Sequence, residues 1–579
     1  MESRTHYDVV ILGSSLSATL MANILARNGC SVLMIEKGQH PRFAIGEATT
    51  PDMSFRFKIV AAKYGVPEIA HLGSFHQLRD HVGPACGVKR SFSFVYHREG
   101  QPQNPRESHQ YPTLSAPMGP DCHLFRQDTD AYLLASAVRY GADVRQRTGV
   151  AAVDLRDDGV AVTTDQGTTY TGRFLVDASG GRSVLAKQLG LREDPVPFRT
   201  NSRGMFTHMV GVKLYDQVGA PREAYDLQFP ISQGTLHHVF EGGWFWVIPF
   251  NNHTDAVNPL CSVGLLLNRD RYPETGMDPE EEFFAFVNRF PALKKQFEGA
   301  RAVRDWTAAP GRLQYATAQT TGARHALVPN TAAFIDPLFS SGINLTLAGV
   351  DLLARRLLEA CREDDFTAER FEPVNAFLQR VLHHYDLVVS NAFDAFPDYD
   401  LWDAWYRVWV SGMLVSTELN ADLYLRHLET GDPAVLDATE TAPYNDVLGY
   451  GFEPQRHLFD AAHSAMERFR SGEATAAEAA AAIRDLYRET SFVPSYWRWH
   501  DPAVRATPAF TLWGMTRMYF WYRLKAPREV SRQLYGWGPW TAYRYVFRSI
   551  RAHNRQSRRR RNTFVRDVFR AWNRDWATS

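Results

Sequence analysis

From Tyr7 to Leu12, with Val9 to Leu12 continuously apolar, the pattern is that of a buried strand, and Gly13-Ser14-Ser15-Leu16-Ser17-Ala18 then interrupts it. Leu16, Leu20, Ile24 and Leu25 recur at helical spacing, which predicts a helix ending near Asn28-Gly29. Ser31 to Ile35 reads as a second strand and closes on Glu36. Strand, tight turn, helix, strand and acid in this order form the opening βαβ unit of a dinucleotide-binding fold.

Further along, Thr129 to Tyr140 reads as a helix, Val150 to Leu155 and Val160 to Thr164 as a hairpin around Asp157-Asp158-Gly159, and Phe174 to Asp177 as another parallel strand. That strand runs into the Gly-rich segment Ala178-Ser179-Gly180-Gly181-Arg182-Ser183. Between about 196 and 325 the texture changes to alternating strand-like runs such as Cys261 to Leu267, broken by Gly-Gly and Asn-Asn turns. Residues 326 to 363 return to strand, loop and helix, with Ile343 to Cys361 amphipathic, and from about 376 the chain is helix-rich and heavy in Trp and Tyr.

The glycine fingerprint is degenerate: Gly13, Ser15 and Ala18 stand where G-x-G-x-x-G/A is usual. Its context is complete, with a strand before it, a helix after it and Glu36 at the expected distance. Gly13 permits the turn, the helix start at Ser14 and Ser15 offers free N–H groups to a pyrophosphate, and Glu36 suits ribose hydroxyls. An α/β unit with no ligand would show the same local pattern, so the fingerprint alone leaves both readings open.

With 579 residues the chain is long enough for several packing units, and 64 Lys+Arg balance 64 Asp+Glu. That balance excludes whole-surface attraction to nucleic acid or anionic lipid, so any basic partner site must be local. Five scattered cysteines without a C-x-x-C pair argue against a disulfide framework or a thiolate metal site, and no metal is expected. The apolar run after the polar N-terminus is too short for a secretion signal, and no stretch approaches a membrane span, so a cytoplasmic protein is expected.

Trp244-Phe245-Trp246-Val247-Ile248-Pro249, after Gly242-Gly243, resembles the W-x-W-x-I-P signature of flavin-dependent halogenases. Asp336-Pro337-Leu338-Phe339-Ser340-Ser341-Gly342 is similar to the flavin and halide loop of that family, and Lys89 falls where the family carries its catalytic lysine. His40-Pro41-Arg42-Phe43, Phe206-Thr207-His208-Met209 and Trp405-Tyr406-Arg407-Val408-Trp409 bring the resemblance closest to halogenases of free phenols such as phloroglucinol and resorcinol. It runs from residue 1 to about 500.

The resemblance implies an α/β fold: an FAD-binding Rossmann-like domain of the glutathione-reductase and aromatic-hydroxylase type (1–195 and 326–375), an inserted β-sheet substrate domain (196–325) and a helical C-terminal region with a basic tail (376–579). It implies FAD, used as FADH2 with O2 and chloride or bromide to make hypohalous acid. FAD contacts are expected at Gly13, Ser14, Ser15, Ala18, Glu36, Arg42, Arg126, Asp177, Asp336, Gly342 and Ile343, with Asp130 beside Arg126. Ser341 and Gly342 would hold the halide, and Lys89 would hold and aim the oxidant at the substrate. Trp244, Trp246 and Pro249 would partition substrate from flavin.

Tryptophan-specific members carry a Glu where this chain has Phe339, which disfavours an indole and leaves a phenol, whose ionisation already activates the ring. His208 is a candidate base, with a satisfied core histidine as the competing reading. A separate flavin reductase is the expected partner, because a single dinucleotide fingerprint is visible. Whether the phenol is free or tethered to a carrier protein stays open. An FAD-dependent aromatic hydroxylase on the same fold is the alternative enzyme, and an FAD-holding module that recruits nucleic acid is the alternative outside catalysis. Residues 551 to 579 hold nine Arg and two Asp, including Arg558 to Arg561, with Phe564, Phe569, Trp572 and Trp576 interleaved. A solvated basic helix end is the default reading there, partly packed as an amphipathic helix.

Overall fold

The computed structural model describes residues 4–115, 118–308, 311–508 and 510–569. The tail residues Trp572 and Trp576 lie outside these, as do the side chains of Arg558 to Arg561, Phe564 and Phe569.

Strand β1 (His6–Leu12) leads through Gly13 into helix α1 (Leu16–Arg27) and returns as β2 (Val32–Glu36). Helix α2 (Pro51–Tyr64) follows, then short strands β3 (Gly87–Lys89), β4 (Ser91–Tyr96), β5 (Ser108–Pro112) and β6 (Asp121–His123). Helix α3 (Arg126–Arg139) precedes β7 (Asp143–Gln146), the hairpin β8 (Val150–Leu155) and β9 (Val160–Thr164), and β10 (Thr169–Asp177). One sheet has a parallel run ordered β15–β10–β1–β2–β7, where β15 is His325–Leu327, and the hairpin β8–β9 extends it by pairing β9 antiparallel to β10. Val9 to Leu12 are buried on both faces, as a central parallel strand covered by helices requires.

The second sheet is built from β11 (Ser202–Val210), β12 (Thr235–Phe240), β13 (Gly243–Pro249) and β14 (Cys261–Asn268), ordered β11–β14–β13–β12–β4–β5. Strands β4 and β5 thus join the sheet expected only over 196–325, with β4 parallel to β12. Alternation along a segment reveals a strand but not its partner, and a parallel partner comes from far away in sequence.

Helix α4 (Gly342–Glu363) follows the loop of residues 336–341, and α5 (Ala368–Ala395) and α6 (Tyr399–Thr430) come after it. Helix α6 is buried almost all round, the mark of a helix with neighbours on every side. Trp402, Tyr406 and Trp409, spaced i, i+4 and i+7, share the face that packs on Phe94 of β4. Two further helices, α7 (Leu512–Leu524) and α8 (Pro539–Phe569), lie near the C-terminus.

Candidate active site

A cavity of about 640 Å³ opens at the carboxyl ends of β1 and β10, where open α/β sheets bind ligands. Gly13 has φ +94°, and a Cβ there would stand 2.7 Å from the Ala178 carbonyl oxygen. The position therefore needs glycine because the loop after β10 passes so close, before any cofactor is considered. Ser15 caps α1, its hydroxyl accepting from the Ala18 N–H, so the helix start faces the cavity with its first N–H groups free.

Glu36 accepts from the Ser14 N–H at 2.9 Å, the Ser14 hydroxyl at 2.8 Å and the Gly38 N–H at 2.7 Å. Burial alone would raise its carboxyl, but the Gly38 and Ser14 donors and the Arg42 guanidinium outweigh it and hold the group below the usual range. Arg42 lies 3.4 Å from Glu36 and keeps a buried Nε without a partner among the described residues. Arg126 lines the cavity, pairs with Asp130 through two bonds of 2.7 and 2.9 Å, and donates to the Gly46 carbonyl at 3.0 Å. Arg126 thus makes a buried salt bridge with Asp130 while bordering the cavity.

Gly13, Ser15, Glu36, Arg42, Arg126, Trp244, Trp246, Asp336, Gly342 and Ile343 line the cavity, and the other expected residues stand behind it. The Ser14 hydroxyl turns to Glu36 and His40. Ala18 is fully buried in α1, its side chain belonging to the core. Asp177 is consumed by its own loop, accepting from the Ser179 N–H and hydroxyl, the Ser183 hydroxyl and the Leu185 N–H. Pro249 offers its carbonyl to the His123 ring at 2.9 Å and so ties the end of β13 to β6. Ser341 has a buried hydroxyl without a hydrogen-bond partner among the described residues, while Ser340 and Gly342 face the cavity.

The loop before α4 owes this to its backbone. Phe339 (φ 71°) and Ser340 (φ 57°) are consecutive left-handed non-glycine residues, a costly arrangement that surrounding contacts must impose. Asp336 supplies some, accepting from the Ser202 hydroxyl at 2.8 Å and the Leu338 N–H at 3.0 Å. The Tyr385 hydroxyl meets the carbonyls of Asp336 and Leu338 at 2.7 and 2.6 Å. Burial pushes the Asp336 carboxyl up to about 7 against those donors. The reversal throws Phe339 away from the cofactor cavity, onto Trp409 at 4.6 Å between ring centres.

That aromatic stack lies beside the surroundings of Lys89. Strand β3 pairs antiparallel with β6, setting Lys89 opposite Asp121. Lys89 is fully buried, its Nζ stands 3.4 Å from the centre of the Phe92 ring, and it has no hydrogen-bond partner among the described residues. Asp121 accepts from the Ser54 hydroxyl at 2.8 Å through one oxygen and leaves the other unpaired. Burial lowers the ammonium and raises the carboxyl, each to about 7 and each held back by the charge of the other. The Tyr111 hydroxyl and the Trp409 indole nitrogen are also buried and unpaired. Buried polar groups without partners are rare in a finished core, and here four share one aromatic neighbourhood.

His237 and Trp244 both line the cofactor cavity with ring centres 5.6 Å apart, and His237 stacks on Phe94 at 4.2 Å and lies 6.3 Å from Phe92. Trp246 lies 5.9 Å from Trp244 on the same strand face, its indole spread over Gly264 of β14. Thr235 and His237 were missed in the sequence because β12 is buried on both faces and shows no alternation. The Nε2 of His208 lies 2.7 Å from Glu47 Oε1, and Phe43, Phe125 and Phe250 surround the ring.

Residues 91–402 match the tryptophan halogenase family. The halogenase PrnC of Pseudomonas fluorescens, which acts on monodechloroaminopyrrolnitrin, is 40% identical over 91% of this chain and 93% of its own. This chain belongs to the flavin-dependent halogenases. The tetracycline 7-halogenase of Kitasatospora aureofaciens is 42% identical over 86% of this chain and 89% of its own. The crystal structure of halogenase PltM with phloroglucinol and FAD superimposes with a TM-score of 0.82 at 34% identity, covering 86% of this chain and all of PltM.

As in its family, the cofactor is FAD, used reduced with O2 and a halide. The residues present fit it. A capped helix start that would suit the pyrophosphate, Glu36 that would suit ribose hydroxyls, the Arg42 Nε without a partner among the described residues and the start of α4 lie along one cavity. Among the described residues no helix is long and apolar enough to cross a membrane.

Proposed function

We propose that this halogenase transfers an electrophilic halogen, from chloride or bromide, to an electron-rich phenolic ring held beside Lys89. The observation that carries the reading is the fully buried, unpaired amine at the Phe92 face, with Trp244 and His237 between it and the cofactor cavity. Bound reduced FAD, with O2 and halide, supplies hypohalous acid. Lys89 then donates a hydrogen bond from Nζ and polarises the halogen toward the substrate carbon, while the nearby Asp121 carboxylate holds the ammonium charged. Ser340 and Gly342, at the start of α4, offer a positive helix end for the halide, with Ser340 in the place assigned to Ser341 from sequence.

Trp244 and Trp246 wall the arene away from the flavin, so oxidant meets halide before it meets substrate. Phe339, stacked on Trp409, leaves the substrate side without a carboxylate at that place, which suits a phenol rather than an indole. PltM, crystallised with phloroglucinol, supports the phenolic class. A separate reductase supplies the reduced flavin.

The test is Lys89→Ala with FAD, a flavin reductase, a phenol panel and each halide, read by mass spectrometry. Halogenated product should disappear while FAD binding and peroxide release persist. Retained halogenation removes Lys89 from the reaction, and hydroxylated product in bromide assigns the enzyme to the hydroxylases instead.

A further inference from the structure

The two helices near the C-terminus leave an apolar stripe uncovered. On α7, Trp513, Phe520 and Leu524 are 77%, 54% and 74% exposed, although Met518 and Tyr522 on the other side of the helix are buried. On α8, Trp540, Phe547 and Ile550 are 71%, 61% and 44% exposed, while Thr541 and Val546 are buried. Their spacings, 513, 520, 524 and 540, 547, 550, keep each set on one side of its helix.

The stripes share one face of the protein. Tyr519 of α7 lies 4.8 Å from Trp537 just before α8, and the hydroxyls of Thr516 and Tyr543 meet at 3.0 Å. Moving forward along α7 therefore means moving back along the α8 segment, so the helices run antiparallel. Thr516 sits about 60° round α7 from its stripe, and Tyr543 falls within the angular range of the α8 stripe, between Phe547 and Ile550. Both stripes therefore border the seam between the two helices.

Charge singles out the same region. From 512 to 555 the chain holds eight Arg and one Lys against one Glu, in a protein whose total charge balances. Arg517, Arg544, Arg548 and Arg551 are exposed on these helices. A second copy of the chain would bring like charges together. Guanidinium groups pair bidentately with phosphate, and Trp, Phe and Leu among arginines are the composition of a surface that lies in a bilayer interface.

We propose that the α7–α8 face is a peripheral membrane-binding surface that seats the enzyme on anionic lipid. Trp513, Phe520, Leu524, Trp540, Phe547 and Ile550 enter the headgroup boundary while the arginines bind phosphate. No spanning helix is required for this, and none is present among the described residues. The surface adjoins the surroundings of Lys89: Phe510, just before α7, lies 5.8 Å from Tyr111.

The test is co-sedimentation of the full-length enzyme with phosphatidylcholine vesicles containing roughly 30% phosphatidylglycerol, against pure phosphatidylcholine. Wild type should sediment with the anionic vesicles only, less so at high salt. The triple variant Trp513→Ser, Trp540→Ser, Phe547→Ser should bind about tenfold or more weakly, with unchanged circular dichroism and unchanged halogenation of a water-soluble phenol. Arg544→Glu with Arg548→Glu should weaken binding while leaving the apolar stripe intact. Failure of wild type to bind anionic vesicles, or equal binding by the triple variant, overturns the proposal. Binding to immobilised poly-L-glutamate without binding to vesicles would assign the face to an acidic protein instead.

Discussion

Replacing Asp121 by Asn removes one charge from the pair that sets the Lys89 proton and changes little else. Asn keeps an oxygen to accept from Ser54, and its volume matches. Lys89 titrates near 7 because burial pulls it down and Asp121, its cross-strand partner, is the largest influence pulling it back. Directly opposed side chains stand about 5.5 Å apart, and at an effective dielectric of about 20 that is about 3 kcal/mol. At about 1.4 kcal/mol per pKa unit the loss lowers Lys89 by about two units, to roughly 5. At pH 7 the ammonium fraction drops from roughly half to roughly one in a hundred. Chlorination at pH 7 should therefore fall about 50-fold and recover toward pH 5, with the Lys89 limb of the profile displaced about two units to acid. Asp336, also pushed to about 7, is untouched, so its own limb stays in place. The assay is the pH profile of kcat for halogenated product at saturating FADH2, with FAD affinity measured at each pH. A limb displaced by less than about half a unit, with FAD binding intact, would refute the pairing of Lys89 with Asp121.

Gly264→Ala places a Cβ 2.2 Å from the Trp246 indole, so overpacking should cost about 1–3 kcal/mol in thermal unfolding and displace the indole, raising peroxide released per halogenated product. Gly13→Val should lose FAD on gel filtration, because the side chain collides with the Ala178 carbonyl oxygen and would hold the left-handed turn under strain. Burial raises the Glu418 carboxyl to about 8, so the folded protein keeps a proton that the unfolded chain releases near 4.3. Its contribution is present at low pH and is lost as pH rises from the unfolded value through about 8. Glu418→Gln should consequently flatten the fall in chemical-denaturation stability between pH 5 and 9, and an unchanged slope would discount the buried carboxyl.

The βαβ opening, the W-x-W strand and the helix after the flavin loop were legible because each is set by short-range patterning. The hairpin over 150–164 matched to the residue, and the helix expected from Thr129 begins three residues earlier, at Arg126. Asp177 shows where such reading stops. A carboxylate ending a strand before glycines suits a ligand or its own loop equally, and here the Ser179 and Ser183 donors take it. That Ser340 lines the cavity depends on two left-handed residues that no local preference predicts. The partner of His208, Glu47, is distant in sequence and could not be read from the segment around it.

Residue types and their spacing along the chain determined that there is a dinucleotide cleft and an indole-bearing strand, since strand, turn and helix preferences act over a few residues. Folding decided that the lysine is buried and faces Asp121 and Phe92, and that His237, beside Phe92, and Trp244 line the neighbouring cavity. Those relations join β3, β4, β6, β12 and β13, and desolvation and charge depend on which remote groups come within a few ångströms.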